Sequence, residues 1–156
     1  MSVMDIRDTA AKYLAYRSHT CREMRKHLQQ KGFAEEEIAA VIADFIECGY
    51  LDDNRYCMQY FDYAFGKGKG KRLVFSELKE KGVDSDTIQF AFEDWDGDYN
   101  EKERAMEEAM KVLRLADADL KPGAVDAKII ARIGRRLQSK GYSSDVIYSV
   151  IGELRS

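Results

Sequence analysis

Leu28-Gln29-Gln30-Lys31-Gly32-Phe33, followed four residues later by Ile38, recurs as Leu78-Lys79-Glu80-Lys81-Gly82-Val83 with Ile88, and again as Leu137-Gln138-Ser139-Lys140-Gly141-Tyr142 with Ile147. The copies begin 50 residues apart (28 to 78) and then 59 (78 to 137). Matched positions that recur three times without an internal gap mark a repeat, and its physics is that of a helix end. Glycine in the left-handed region closes a Schellman cap, which puts Leu28 at C3 and Phe33 at C″, the two positions whose side chains meet across the turn. The same pairing joins Leu78 to Val83 and Leu137 to Tyr142. Gly32, Gly82 and Gly141 are therefore expected at positive φ.

Apolar residues at helical spacing lie on both sides of each turn. Upstream are Met24 and Leu28, Val74 and Leu78, then Ile130, Ile133 and Leu137. Downstream are Ile38, Val41, Ile42 and Phe45, then Ile88, Ala91 and Phe92, then Ile147, Val150, Ile151 and Leu154. A third helix opens each unit: about Asp5 to Tyr16; from Asp52 or Asp53, plausible N-caps, through Tyr63 and Ala64; and about Asn100 to Ala116, ended by Asp117-Ala118-Asp119-Leu120-Lys121-Pro122-Gly123. The expected fold is all-α, with about nine helices in three tandem three-helix repeats over residues 1–49, 50–97 and 98–156.

The 156 residues carry 25 Lys and Arg against 28 Asp and Glu, a formal charge of −3 that does not announce a nucleic-acid binder. The distribution says more than the sum. Between Thr20 and Lys31, Arg22, Arg25, Lys26 and Lys31 face one acid, Glu23. Between Lys67 and Lys81, six bases face Glu77 and Glu80. Between Asp126 and Lys140, Lys128, Arg132, Arg135, Arg136 and Lys140 face Asp126 alone. The stretches that follow the first two turns, Ala34 to Gly49 and Asp84 to Gly97, hold five acids each and no base. Helix dipoles favour bases only in the last turn, and Arg22, Lys69, Lys71 and Arg132 come too early for that. If equivalent helices align, the second helices form a basic stripe suited to a polyanion or an acidic groove. Its candidate binding residues are Arg22, Arg25, Lys26, Lys67, Lys69, Lys71, Arg72, Arg132, Arg135 and Arg136.

Other constellations carry no chemistry. Gly66-Lys67-Gly68-Lys69-Gly70-Lys71-Arg72 lacks the spacing, the hydroxyl residue and the preceding strand of a phosphate loop, and reads as a flexible basic loop. His19 and His27 have no acid nearby in sequence that would complete a triad or zinc site. Trp95 and the tyrosines read as core, with Tyr60 and Tyr63 beside the basic loop. Cys21, Cys48 and Cys57 have no metal-like spacing and fit reduced thiols in the cytoplasm. No catalytic residue, metal or cofactor is expected. No apolar run approaches the ~20 residues of a membrane span.

Gly49-Tyr50-Leu51-Asp52-Asp53-Asn54-Arg55-Tyr56, the Gly-Lys-Gly-Lys-Arg stretch and the Lys-Gly turns together resemble the RecX family, regulators of the RecA recombinase. The likeness runs from about Ala10 to Ile151, and Leu51-Asp52-Asp53-Asn54-Arg55 is its most specific part. Tyr56-Cys57 stands where the family pattern has Phe-Ala. The resemblance implies an elongated, curved array that binds in the groove of the RecA–single-stranded DNA filament and inhibits the recombinase in DNA repair, recombination and the SOS response. It also implies some direct binding of single- or double-stranded DNA. The expected form is a cytoplasmic monomer, not an enzyme. The alternatives are a helix-turn-helix-like DNA-binding protein, whose would-be recognition helices are here acidic, and a generic helical-repeat adaptor.

Overall fold

The computed structural model describes residues 5–116 and 126–156, and among them finds nine helices and no strand. They are α1 (Ile6–Tyr16), α2 (Cys21–Gln30), α3 (Glu35–Glu47), α4 (Asp53–Gly66), α5 (Lys71–Glu80), α6 (Ser85–Asp94), α7 (Glu101–Leu115), α8 (Ala127–Ser139) and α9 (Ser144–Arg155). The expected break at Asp117–Gly123 lies outside the described residues.

Most helices begin on a side-chain cap. Asp5, Asp84, Asn100, Asp126 and Ser143 each accept a backbone N–H three residues on. Thr20 and Glu23 form a reciprocal capping box. Asp52 rather than Asp53 caps α4, accepting from Arg55 N at 3.0 Å. Asp53 turns away to accept from Cys21 N, at the start of α2.

The three repeated turns close as their sequence demands. Gly32, Gly82 and Gly141 have φ of 89°, 97° and 89°. Phe33 N donates to Leu28 O at 3.2 Å, Val83 N to Leu78 O at 3.1 Å and Tyr142 N to Leu137 O at 3.1 Å. These are the six-to-one bonds of a Schellman motif. Gly68 makes the same turn at the end of α4, with Lys69 N donating to Ala64 O at 3.2 Å.

The chain divides into two compact units, Met1–Tyr60 with Glu77–Trp95, and Phe61–Ser76 with Asp96–Ser156. In the first unit, Ala10, Met24, Leu28, Ile38, Val41, Ile42, Phe45 and Leu51 form a core, with Ile6, Leu14 and Phe33 packed against it. In the second, Ala105, Ala109, Val112, Leu113, Ile133, Leu137, Tyr142 and Val150 do the same. The apolar stripes of α2 and α3 in the first unit and of α7 and α8 in the second supply most of these cores, each fully buried leucine contributing roughly 1.5–3 kcal/mol of burial.

Candidate partner-binding surfaces

Helix α2 carries Arg22, Arg25 and Lys26 in the first unit. Arg22 and Lys26 are exposed, and Arg25 is half-buried. Arg25 pairs with Glu35 at 3.0 Å, a solvent-facing contact of small energetic weight. Arg22, Lys26 and Gln30 line a groove with Lys81, Tyr13 and Tyr60. Lys81 Nζ sits 5.5 Å from the centre of the Tyr60 ring, and the Tyr60 hydroxyl donates to Glu77 at 2.7 Å. Lys81 thus joins the basic surface of α2. Glu23, Glu77 and Glu80 line the same groove, so this part of the surface is mixed in charge.

In the second unit the stretch from Gly66 to Arg72 is a built turn, which corrects its reading as a flexible loop. Gly68 and Gly70 are buried. Tyr142 Oη donates to Gly68 O at 2.8 Å, Gly70 N to Lys140 O at 2.7 Å, and Lys71 N to Tyr99 Oη at 2.9 Å. These bonds fix the backbone that carries Lys67, Lys69, Lys71 and Arg72. Lys67 and Arg72 are exposed, while Lys69 and Lys71 are half-buried. Lys67 Nζ lies 5.7 Å over Tyr63 and Lys71 Nζ 5.2 Å over Phe75, cation–π placements in which the ring faces hold the ammonium groups.

Helix α8 presents Arg132 and Arg135 to solvent, and these two line a groove with Arg136, Val112, Leu115 and Ser139. Arg136 is largely committed inside the chain. Its guanidinium lies 3.2 Å from the carboxylate of Glu108, which also takes Lys111 at 2.8 Å. Glu108 is 1% exposed. Its spacing, three residues after Ala105 and four before Val112, puts it on the buried stripe of α7, and only its acidic side chain argues against an inward place.

Two other readings are corrected. Tyr16, Tyr50, Tyr63 and Tyr148 are exposed, so the tyrosines do not all serve the core. His19 does have an acid within reach, Glu23 at 3.5 Å from Nδ1. The Tyr13 ring is sandwiched between His19 at 3.6 Å and His27 at 3.8 Å, with planes within 8° and 4°. Burial pushes the His19 pKa down, helped by Arg17, and burial with Lys31 does the same at His27. At both imidazoles burial disfavours the charged form. Burial lifts the Cys21 and Cys57 thiols to about 12, so neither is a ready nucleophile. Among the described residues no three ligating side chains cluster for a metal.

Known proteins share this chain's sequence and fold. Residues 7–45 match the family model described as RecX, first three-helix domain, and residues 52–91 match RecX, second three-helix domain. Regulatory protein RecX of Vibrio vulnificus is 32% identical over 145 residues, covering 93% of this chain and 90% of the relative. Regulatory protein RecX of Trichlorobacter lovleyi is 34% identical over 140 residues, covering 88% of each. Regulatory protein RecX of Bacillus subtilis is 30% identical over 146 residues, and the match spans 93% of this chain but 53% of that longer protein. The crystal structure of RecX from Lactobacillus salivarius superposes with a TM-score of 0.79 at 24% identity, over 96% of this chain and 94% of that one, a likeness of fold.

Proposed function

The chain belongs to the RecX family, and from that premise we propose that it is a regulatory binding protein that inhibits the RecA recombinase by binding the recombinase–single-stranded DNA filament. It does so in the cytoplasm, without catalysis, and serves DNA repair, recombination and the SOS response. Family membership carries the reading. The segregation of charge supports it, since α2, the turn into α5, and α8 each present bases while the first turn of α3 holds Glu35, Glu36 and Glu37.

The contact surface in this proposal is Arg22, Arg25, Lys26, Lys67, Lys69, Lys71, Arg72, Arg132, Arg135 and Arg136, with Arg136 acting mainly by holding Glu108. The sequence copies 1–49, 50–97 and 98–156 are its repeating modules. Several modest contacts along a polymer add up to strong binding through effective concentration. The bases suit either acidic protein or phosphate, so direct binding of single- or double-stranded DNA belongs to the same proposal.

The test is recombinase ATP hydrolysis on single-stranded DNA, with the protein added below one copy per protomer. Slowed hydrolysis, with the protein pelleting alongside the filament, is the expected result. Pelleting with bare DNA alone would favour the helix-turn-helix-like reading, and pelleting with neither would favour the adaptor.

A further inference from the structure

The three Lys-Gly turns are alike in sequence and in backbone, but two are occupied and one is open. In the first unit, the N-terminus of α2 seats on the Lys81-Gly82 turn. Thr20 Oγ1 donates to Lys81 O at 2.7 Å, and a Cβ placed on Gly82 would run into the stem of Arg22. In the second unit, the N-terminus of α5 seats on the Lys140-Gly141 turn. Gly70 N donates to Lys140 O at 2.7 Å, and a Cβ on Gly141 would meet the backbone of Leu73. Each time a helix N-terminus, positive by its dipole, meets the carbonyl end of another helix, and the carbonyl before the glycine accepts one bond from the N-cap residue.

The Lys31-Gly32-Phe33 turn has the same cap and φ of 89°. Among the described residues nothing lies within 4 Å of a Cβ placed on Gly32, and none donates to Lys31 O. Lys31 and Gly32 are exposed where their counterparts are half-buried or buried. Beside the turn runs a groove lined by Lys12, Tyr13, Tyr16, His27, Lys31 and Phe33. Its two lysines complement the acidic residues that favour the first turn of a helix.

We propose that this open turn receives the N-terminal turn of a helix on the recombinase protomer, one begun by Ser, Thr or Gly and carrying an acid in its first turn. The proposal rests on the filament being the partner. The internal junctions supply the geometry: a hydroxyl or an unshielded N–H donates to Lys31 O, and the missing Cβ of Gly32 lets the incoming backbone approach. A second copy of this chain does not supply a free matching end: Thr20 and Gly70 already donate to Lys81 O and Lys140 O, and Ser143, which opens α9 with Asp145 in its first turn, already donates to Glu101 at 3.3 Å. Its remaining second helix, α8, opens on Asp126, whose carboxylate accepts from Ile129 N and has no proton to give. Nor does Asp126 fit the other junction, where a Cβ on Gly70 would lie 2.8 Å from Gly141 O.

Gly32→Asn tests it, because asparagine tolerates the left-handed region and so keeps the cap while filling the approach. Gly49→Asn is the matched control, since Gly49 has φ of 82° and no described residue within 4 Å of its own added Cβ. Both variants and the wild-type chain are titrated against recombinase filament on single-stranded DNA and pelleted, with thermal melts alongside. The expected result is wild-type melting for both, unchanged pelleting for Gly49→Asn, and roughly tenfold weaker pelleting for Gly32→Asn, the scale of one lost hydrogen-bonded contact. Wild-type pelleting of Gly32→Asn, or equal loss in both variants, overturns the docking and leaves the proposed function standing. A self-associated wild-type chain that Gly32→Asn renders monomeric assigns the turn to a second copy and overturns the recombinase as occupant. Failure of the wild-type chain itself to pellet removes the proposed function and the docking with it.

Discussion

The carboxylate of Glu108, buried to 1% exposure, is held 3.2 Å from the guanidinium of Arg136, so a residue that sequence assigns to a binding stripe is also a structural counter-ion. The same carboxylate lies where a side chain on Gly68 would stand. The ion pair therefore bears on the turn that carries Lys67 and Lys69.

Arg136→Ala is expected to lower stability by about 1–2 kcal/mol. Removing one partner of a buried pair costs more than this, but Lys111 remains and both bases are partly solvated. Arg132→Ala with Arg135→Ala, on the exposed side of the same helix, should stay within about 0.5 kcal/mol of wild type. Urea unfolding distinguishes them. Equal midpoints for the two variants would mean that Glu108 does not depend on Arg136.

Alanine at Gly32, Gly82 and Gly141 should rank the three turns. Each variant pays roughly 1–2 kcal/mol for a left-handed alanine. Gly32→Ala adds nothing more, Gly82→Ala must displace the flexible stem of Arg22, and Gly141→Ala meets the backbone of Leu73. Denaturation midpoints should therefore fall in the order Gly32, Gly82, Gly141. Three equal losses would show that the turns only cap their helices and do not seat neighbouring ones.

Stability should decrease on acidification through the histidine range. His19 and His27 are both shifted below their ordinary value of 6.5 in the fold, so the unfolded chain binds protons first as pH falls. Their contribution is fully present above pH 6.5 and is lost as pH falls through the lower folded values. Asp84 is also shifted down, from an ordinary value of 3.8, but its loss begins only below that pH and leaves the upper window clear. Melting temperatures measured from pH 7.5 to 5 should drop for the wild-type chain and drop less for His19→Phe with His27→Phe. An identical slope in both chains would remove the histidines as the cause.

Neutralising Lys67, Lys69, Lys71 and Arg72 to Gln should weaken inhibition of the recombinase and flatten its salt dependence, because charge attraction is screened by salt. The control is Glu36→Gln with Glu37→Gln. Glu35 is left alone because it engages Arg25 and Gln29. Bonds to the backbone help hold the turn from Gly68 to Lys71, so the quadruple variant should stay folded, and its melting temperature reports what the four side chains add. Full inhibition by the basic variant, with loss in the acidic one, would move the binding face to α3.

Much was legible in the sequence because its signals are local. The Leu-x-x-Lys-Gly-apolar segment closes a cap at each of its three occurrences, at Gly32, Gly82 and Gly141. Helical spacing placed Met24, Leu28, Ile38 and Phe45 in a core that contains them all, and Asp5, Thr20 and Asn100 begin their helices because short polar side chains satisfy N–H groups that no helix can satisfy itself. The charge contrast between successive helices is likewise a property of composition along the chain. What the tertiary structure decided depends on residues far apart. Arg136 meets Glu108 across 28 positions: spacing puts Glu108 on the apolar face of α7, but only a partner brought from α8 lets a charged group stay there. Asp52 caps its own helix while Asp53 serves α2, a choice made by whichever N–H lies nearer in space. Tyr13 stacks between two histidines that helical spacing leaves unrelated. Gly82 and Gly141 are covered and Gly32 is open because a local motif fixes the shape of a turn, while only the packing of distant segments decides what lies against it.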